Sequence, residues 1–250
     1  LYDLLQIWGT SLKCYSFAIF LFMLIACVII GLFFLTKGGD LLSDYCSSLA
    51  EELGIPSVVV GLTVVSIATS APELFTSIAA ISSGASGLVL GNIIGSNIAN
   101  IALILGISLL IKPICTAGIL NSVQLALLCI STFSFCGSII FTGNTLDVTK
   151  GVILVIFIFC YIIGVTIHAL KNRNLIREDD ESNSSKKDSI TYIIIMILLG
   201  GVFLWVGSES LVYGSQNIAI LIGIPNELIG FTLIAIGTSL PELAASIALI

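Results

Sequence analysis

The sequence predicts an all-α polytopic membrane protein built on an inverted repeat. Three observations carry that prediction. The 250 residues are 57% hydrophobic and only 10% charged, whereas a soluble domain is about a quarter charged. Seven apolar stretches each approach the roughly 20 residues that a helix needs to cross a bilayer. Two segments 169 residues apart are near copies of each other.

So few charges cannot cover a water-facing surface. That excludes an ordinary soluble enzyme, a disordered chain and a nucleic-acid binder, which would need a basic face. The apolar runs are continuous rather than alternating, which argues against a β-barrel. The net charge is −6, but five of the acids (Glu178, Asp179, Asp180, Glu181, Asp188) share one loop with five of the nine bases, so that loop is roughly neutral. The seven cysteines are odd in number and irregularly spaced, with no CxxC. They read as small apolar residues rather than a disulfide framework or a zinc site. The chain begins at Leu1 and stops at Ile250 inside an apolar run, with no clear cleavable signal peptide. A piece of a longer protein is the expectation.

The predicted spans cover about 16–36, 57–82, 88–111, 120–142, 151–170, 190–207 and 216–250. Most connections are short; Gly84–Gly87 makes one turn and Lys112–Pro113 opens another. Lys171–Ser189, rich in charge, Ser and Asn, is a solvated linker. Residues 1–170 form a first transmembrane repeat with its motif at 54–100, residues 171–189 a cytoplasmic loop, and 190–250 a partial second repeat with its motif at 223–250. With the N-terminus outside, cytoplasmic connections carry Lys37, Lys112, Lys171, Arg173, Arg177, Lys186 and Lys187, against Lys13 and Lys150 outside. The positive-inside rule favours that orientation.

The repeat aligns GIPSVVVGLTVVSIATSAPELFTSIAAI (54–81) with GIPNELIGFTLIAIGTSLPELAASIALI (223–250), and 15 of the 28 positions are identical. Apolar composition would match Leu with Ile freely. It would not match Pro56 with Pro225, Pro72 with Pro241 and Glu73 with Glu242. Gly38 and Asp40 align with Gly207 and Glu209 as a weaker echo. The copies lie five spans apart and therefore cross in opposite directions, a plan that brings equivalent residues together near the midplane.

Glu73 and Glu242 sit inside apolar stretches. A carboxylate at that depth costs at least about 2.5–3.5 kcal/mol and is rare without a role. The plain alternative, a protonated Glu bonded to a neighbouring helix, suits one isolated residue better than a repeat-related pair. Thr69, Ser70, Thr238 and Ser239 precede the prolines. Proline removes a backbone donor and frees carbonyls around the break, including those of Ser66 and Ala235. Back-bonding of the hydroxyls to their own helix is the alternative. GNIIGSNIANIALILG (91–106) follows, with Ser96 and Asn100 four apart on one face. Asn92 and Asn97 are divided between function and helix–helix adhesion.

Two carboxylates with hydroxyl, amide and carbonyl oxygens make an all-oxygen site. That suits a hard cation such as Ca2+, which takes six to eight oxygens, or Na+. A soft metal would want Cys or His, and the lone His168 lies near a span end with no partner pattern. Protons would compete with the cation for Glu73 and Glu242, so transport should fall as pH drops. Asp40 and Glu209 read as residues near helix ends, and Glu51, Glu52 and Glu227 as water-facing turn residues. Nothing points to an enzyme: there is no nucleophile–base pair, zinc motif or cofactor loop. A channel is disfavoured, since pores are usually ringed by subunits.

At ATSAPE (68–73), GTSLPE (237–242) and GNIIGSNIANIALILG the chain resembles the cation/Ca2+ exchangers, in the sodium/calcium exchanger branch with its prokaryotic and K+-dependent members. The resemblance implies ten helices in two inverted sets of five, of which about seven are present here and three of the second set are absent. It implies that Glu73 and Glu242 are the central Ca2+-coordinating carboxylates, shared with Na+. Thr69, Ser70, Thr238 and Ser239 would be hydroxyl or carbonyl ligands, Ser66 and Ala235 carbonyl ligands, and Ser96 and Asn100 further ligands. It implies Ca2+/Na+ antiport in the plasma membrane (the inner membrane of a bacterium) by alternating access, with no cofactor. K+ co-transport or H+ exchange is the alternative coupling. The second GN…GSN segment is absent, so residues 1–250 alone should not transport. The 171–189 loop has no room for large regulatory Ca2+-binding domains.

Overall fold

The computed structural model describes residues 2–53, 60, 64–113, 122–141, 147–171, 189–240, 242, 243 and 246. Pro56, Pro241 and residues 172–188 of the predicted loop lie outside them. The described residues are helical, in seven stretches, with no strand among them. In chain order these are α1 (Tyr2–Glu52), α2 (Ser66–Thr69) with α3 (Ala71–Ser82), α4 (Ser86–Ile98) with α5 (Gly106–Ile111), α6 (Ser122–Phe141), α7 (Val148–Lys171), α8 (Ile190–Ile222), and α9 (Asn226–Ile229) with α10 (Ala235–Thr238). A π-helical turn, Ala99–Leu105, joins α4 to α5, and another, Gly230–Ile234, joins α9 to α10. Among the described residues, three helical segments are long and apolar enough to cross a membrane: Phe17–Ala50, Ser86–Ile111 and Ile190–Ile222. The chain divides into two compact units, residues 113–183 with α6 and α7, and the remainder with the repeat.

Large apolar side chains cover the outside of both units. Phe22, Phe33, Leu110 and Trp205 are exposed in the repeat unit, and Phe133 and Val148 in the other. A water-facing surface would not tolerate this density, and a lipid-facing one requires it. Among the described residues, Cys27, Cys46, Cys129, Cys136 and Cys160 are free thiols.

The helices of the repeat unit run further than the hydropathy pattern suggests. The span predicted at 16–36 continues as helix to Glu52, with Lys37 and Asp40, one turn apart on the exposed surface, paired at 3.5 Å. The predicted break at 208–215 is also absent, and α8 runs unbroken to Ile222. Two of its polar residues bond to their own helix: Ser208 donates to the Trp205 carbonyl at 2.8 Å and Asn217 to that of Tyr213 at 2.8 Å. Asp40 and Glu209 therefore lie within long helices rather than at their ends. Gly223, with φ 71°, closes α8 in the left-handed conformation that only glycine adopts freely.

The antiparallel pair α1 and α8 forms the centre of this unit, and it is symmetric. A methyl group on Gly207 would lie 2.9 Å from the Gly31 carbonyl oxygen and 2.8 Å from Leu35 N. One on Gly38 would lie 2.9 Å from the Gly200 carbonyl oxygen and 2.9 Å from Leu204 N. A shift of 169 residues turns each of these contacts into the other. Phe34 and Phe203, equivalent under the same shift, meet edge to face with centroids 5.0 Å apart. They straddle the pseudo-two-fold axis. Small residues let backbones approach where lipid removes the usual hydrophobic drive between helices.

Candidate functional site

The backbone breaks in both copies in the same way. At Ser70 the helix leaves its regular path with φ −84° and ψ 0°, and at Ser239 with φ −87° and ψ 4°. Pro72 follows the first break at the second position of α3, where its missing N–H is not needed. The Pro72 ring is fully buried and packs over Gly39 of α1. A π-helical distortion precedes each motif, at residues 64–65 and again at Gly230–Ile234. Such bulges re-aim the turn that follows them.

The local hydrogen bonds are images of one another. Ser70 N donates to the Ser66 carbonyl at 3.3 Å and Ser239 N to the Ala235 carbonyl at 3.2 Å. Thr69 Oγ1 donates to Ser66 O at 3.2 Å, and Thr238 Oγ1 to Ala235 O at 3.3 Å. The carbonyls of Ser66 and Ala235, expected to be free, thus each accept twice. The physical reason is that the helix turns once more before the proline, and the threonine hydroxyl fills the remaining lone pair.

The two glutamates come together. Glu73 lies beside Thr238 and Ser239 and within range of the charge on Glu242, so its neighbours come from the other copy. Four side-chain oxygens here are buried without a hydrogen-bond partner: Glu73 Oε1 and Oε2, Glu242 Oε2 and Ser239 Oγ. Buried polar atoms are normally satisfied. Carboxylate oxygens and a hydroxyl oxygen left unpaired in one place form a donor set for a cation, not for an anion. Among the described residues no group of three or more His, Cys, Asp or Glu could hold a metal ion. Two carboxylates and neutral oxygens suit a hard, exchangeable ion better than a tightly held soft metal.

Helix α4 closes one side. Gly91, Gly95 and Gly230 permit backbone contact with the second copy: a methyl on Gly95 would lie 2.6 Å from the Phe231 carbonyl oxygen, and one on Gly230 2.6 Å from that of Leu88. Ser96 is buried and donates to Ile93 O at 3.3 Å. Asn100 is exposed and lies in the π-helical turn, and Asn97 is exposed and donates to Ile93 O at 2.7 Å. Thr69 is half-buried, while Ser66 and Ser70 are exposed. Asn92, which the sequence left between adhesion and function, is the residue of α4 that reaches both copies. Its Nδ2 donates to Glu73 O and Ser77 Oγ, each at 3.4 Å, and its Oδ1 accepts from Thr238 Oγ1 at 3.4 Å. Sequence reasoning passed over Ser77, although its identity with Ser246 in the second copy was a signal.

A family model described as sodium/calcium exchanger protein matches residues 23–167 and 192–250. An uncharacterized membrane protein of Methanocaldococcus jannaschii is 33% identical over 220 residues, covering 88% of this chain and 70% of the relative. The sodium/calcium exchanger MaX1 of Methanosarcina acetivorans is 32% identical over 253 residues, covering 88% and 72%. Among solved structures, a sodium/calcium exchanger from Methanococcus jannaschii superposes with a TM-score of 0.52 at 31% identity, over 91% of this chain and 73% of that one.

Proposed function

The chain belongs to the sodium/calcium exchanger family, and from that premise we propose that it exchanges Ca2+ for Na+ across a membrane, at a midplane site built from its paired glutamates. One observation supports the site above others. The buried, unpartnered oxygens of Glu73, Glu242 and Ser239 come from repeat-equivalent motifs and converge. Two ionised carboxylates side by side repel each other, and a cation between them removes that cost. Ca2+ neutralises both. Na+ uses the same oxygens, so the two ions exclude each other, and exclusive occupancy with alternating access yields exchange. Thr69, Ser70, Thr238 and Ser239 complete the shell with hydroxyl or carbonyl oxygens. The Ser66 and Ala235 carbonyls join it when the threonine hydroxyls turn away from them. Ser96 and Asn100 extend it from the helix after the first motif. The antiporter sits in the plasma membrane, or the inner membrane of a bacterium, with its N-terminus outside and the 171–189 loop in the cytoplasm.

The test is Ca2+ uptake into vesicles holding the full-length gene product, driven by an outward Na+ gradient. The expected result is uptake that needs internal Na+ and disappears in both Glu73→Gln and Glu242→Gln. Uptake that ignores Na+ but keeps the glutamate dependence would replace the coupling ion with K+ or H+. Uptake that survives both substitutions would refute the site.

A further inference from the structure

We infer that Asn92 is a positioning residue that sets the direction of the Thr238 hydroxyl, and so decides whether that oxygen faces the site as a cation ligand. The inference rests on the cation site proposed above. Asn92 is 1% exposed and carries no charge of its own. The Glu73 carbonyl can only accept, so the amide must aim its nitrogen there and its oxygen at Thr238. The orientation of the amide is therefore fixed by copy one and imposed on copy two.

Thr238 has one hydroxyl hydrogen and several acceptors around it. Ala235 O lies at 3.3 Å, Asn92 Oδ1 at 3.4 Å, and the Glu73 carboxylate is adjacent. If the hydrogen turned to Glu73, Thr238 would act as a donor in the site, occupy a carboxylate lone pair and present a hydrogen to an incoming cation. In the structure both Glu73 oxygens are unpartnered, and the hydrogen is shared between Ala235 and Asn92. Moving it fully to Asn92 exposes two oxygens together: the lone pairs of Thr238 Oγ1 and the second lone pair of Ala235 O. Asn92 is thus an acceptor held outside the ion's shell that makes two shell oxygens available at once. A carboxylate at this position could not do the same, because it has no donor for the Glu73 carbonyl and adds a negative charge.

The experiment is a double-mutant cycle on the purified full-length protein, with Ca2+ affinity read by calorimetry and folding by monodispersity and melting temperature. Thr238→Val and Asn92→Ala should each weaken Ca2+ by roughly five- to tenfold, the scale of one lost hydrogen-bonding partner. The double variant should bind no more weakly than Thr238→Val alone, because without the hydroxyl there is nothing for Asn92 to orient. Additive losses, or an Asn92→Ala protein that melts earlier yet binds Ca2+ within twofold of wild type, would reduce Asn92 to packing and overturn the inference. Where Asn92→Ala is not monodisperse, Asn92→Ser is run through the same cycle with the same criteria. Unchanged Ca2+ affinity in Thr238→Val would instead strike the site itself, and the inference would fall with it.

Discussion

Gly207 and Gly201 lie on the same face-to-face helix pair but meet different surroundings, and substituting each by alanine should move stability in opposite directions. A methyl on Gly207 would sit 2.8 Å from Leu35 N and 2.9 Å from Gly31 O. Both are backbone atoms, so no side chain can rotate away. Restoring ordinary contact requires the α1 and α8 backbones to separate by roughly 0.6 Å, which forfeits between a quarter and a half of the dispersion attraction across the contact. Overpacking of this kind costs about 1–3 kcal/mol. For a protein of this size, about 2 kcal/mol lowers the melting temperature by roughly 4–8 °C. Gly201, six residues earlier, has nothing within 4 Å of the point where a methyl would sit. There the substitution brings only helix propensity, a gain of roughly 0.5–1 kcal/mol. Gly38→Ala should match Gly207→Ala, since its contacts at 2.9 Å are the repeat image, and the double variant should cost less than the sum because one separation relieves both. The assay is thermal unfolding in detergent followed by fluorescence-detected gel filtration. A Gly207→Ala protein that melts no lower than Gly201→Ala would refute backbone contact between α1 and α8.

Three further outcomes follow from the same geometry. Gly237→Ala places a methyl against the end of the Leu32 side chain; it should lower stability by about 1 kcal/mol and be rescued by Leu32→Val, as read by the same melting assay. Thr238→Val should weaken Ca2+ binding more than Thr69→Val, because Thr238 is buried and bridged by Asn92 while Thr69 is half-buried and both donate alike to their own helix; equal losses in calorimetry would contradict this. Transport should fall on acidification from pH 8 to about 5.5, because each proton that binds a carboxylate oxygen removes the negative charge a cation needs. The sign is a loss at low pH and a plateau at high pH, and a flat rate across that range in vesicles would exclude ionised glutamates as ligands.

What the residues alone reveal is whatever the two copies share. Glu73 and Glu242, Thr69 and Thr238, and the proline pairs are legible because apolar composition cannot produce them twice by accident. The inverted arrangement follows from counting spans between them, and the symmetric contacts of Gly31, Gly38, Gly200 and Gly207 agree with it. Helix limits are less legible. Ser208, Glu209, Ser215 and Asn217 look like an interruption in a hydropathy profile, yet Ser208 and Asn217 bond to their own helix and α8 continues. The state of the Ser66 and Ala235 carbonyls depends on hydroxyl rotation, which no residue pattern records. The bridging of Asn92 to Thr238 joins residues 146 apart. It belongs to one copy reaching into the other, so self-comparison of the sequence had no image of it to reveal.

The motifs differ at two positions, Ala68 against Gly237 and Ala71 against Leu240, and at the first the neighbourhood differs as well. Leu32 fills the space over Gly237, while the residue equivalent to Leu32 in the second half is Gly201, beside which nothing crowds. The halves have therefore ceased to be interchangeable cassettes. Grafting the first motif into the second position would import the Ala68 methyl into the space held by Leu32. A tandem of two first halves would carry that conflict twice. Duplication supplied two equal pieces, and later divergence fitted Leu32 of one to Gly237 of the other.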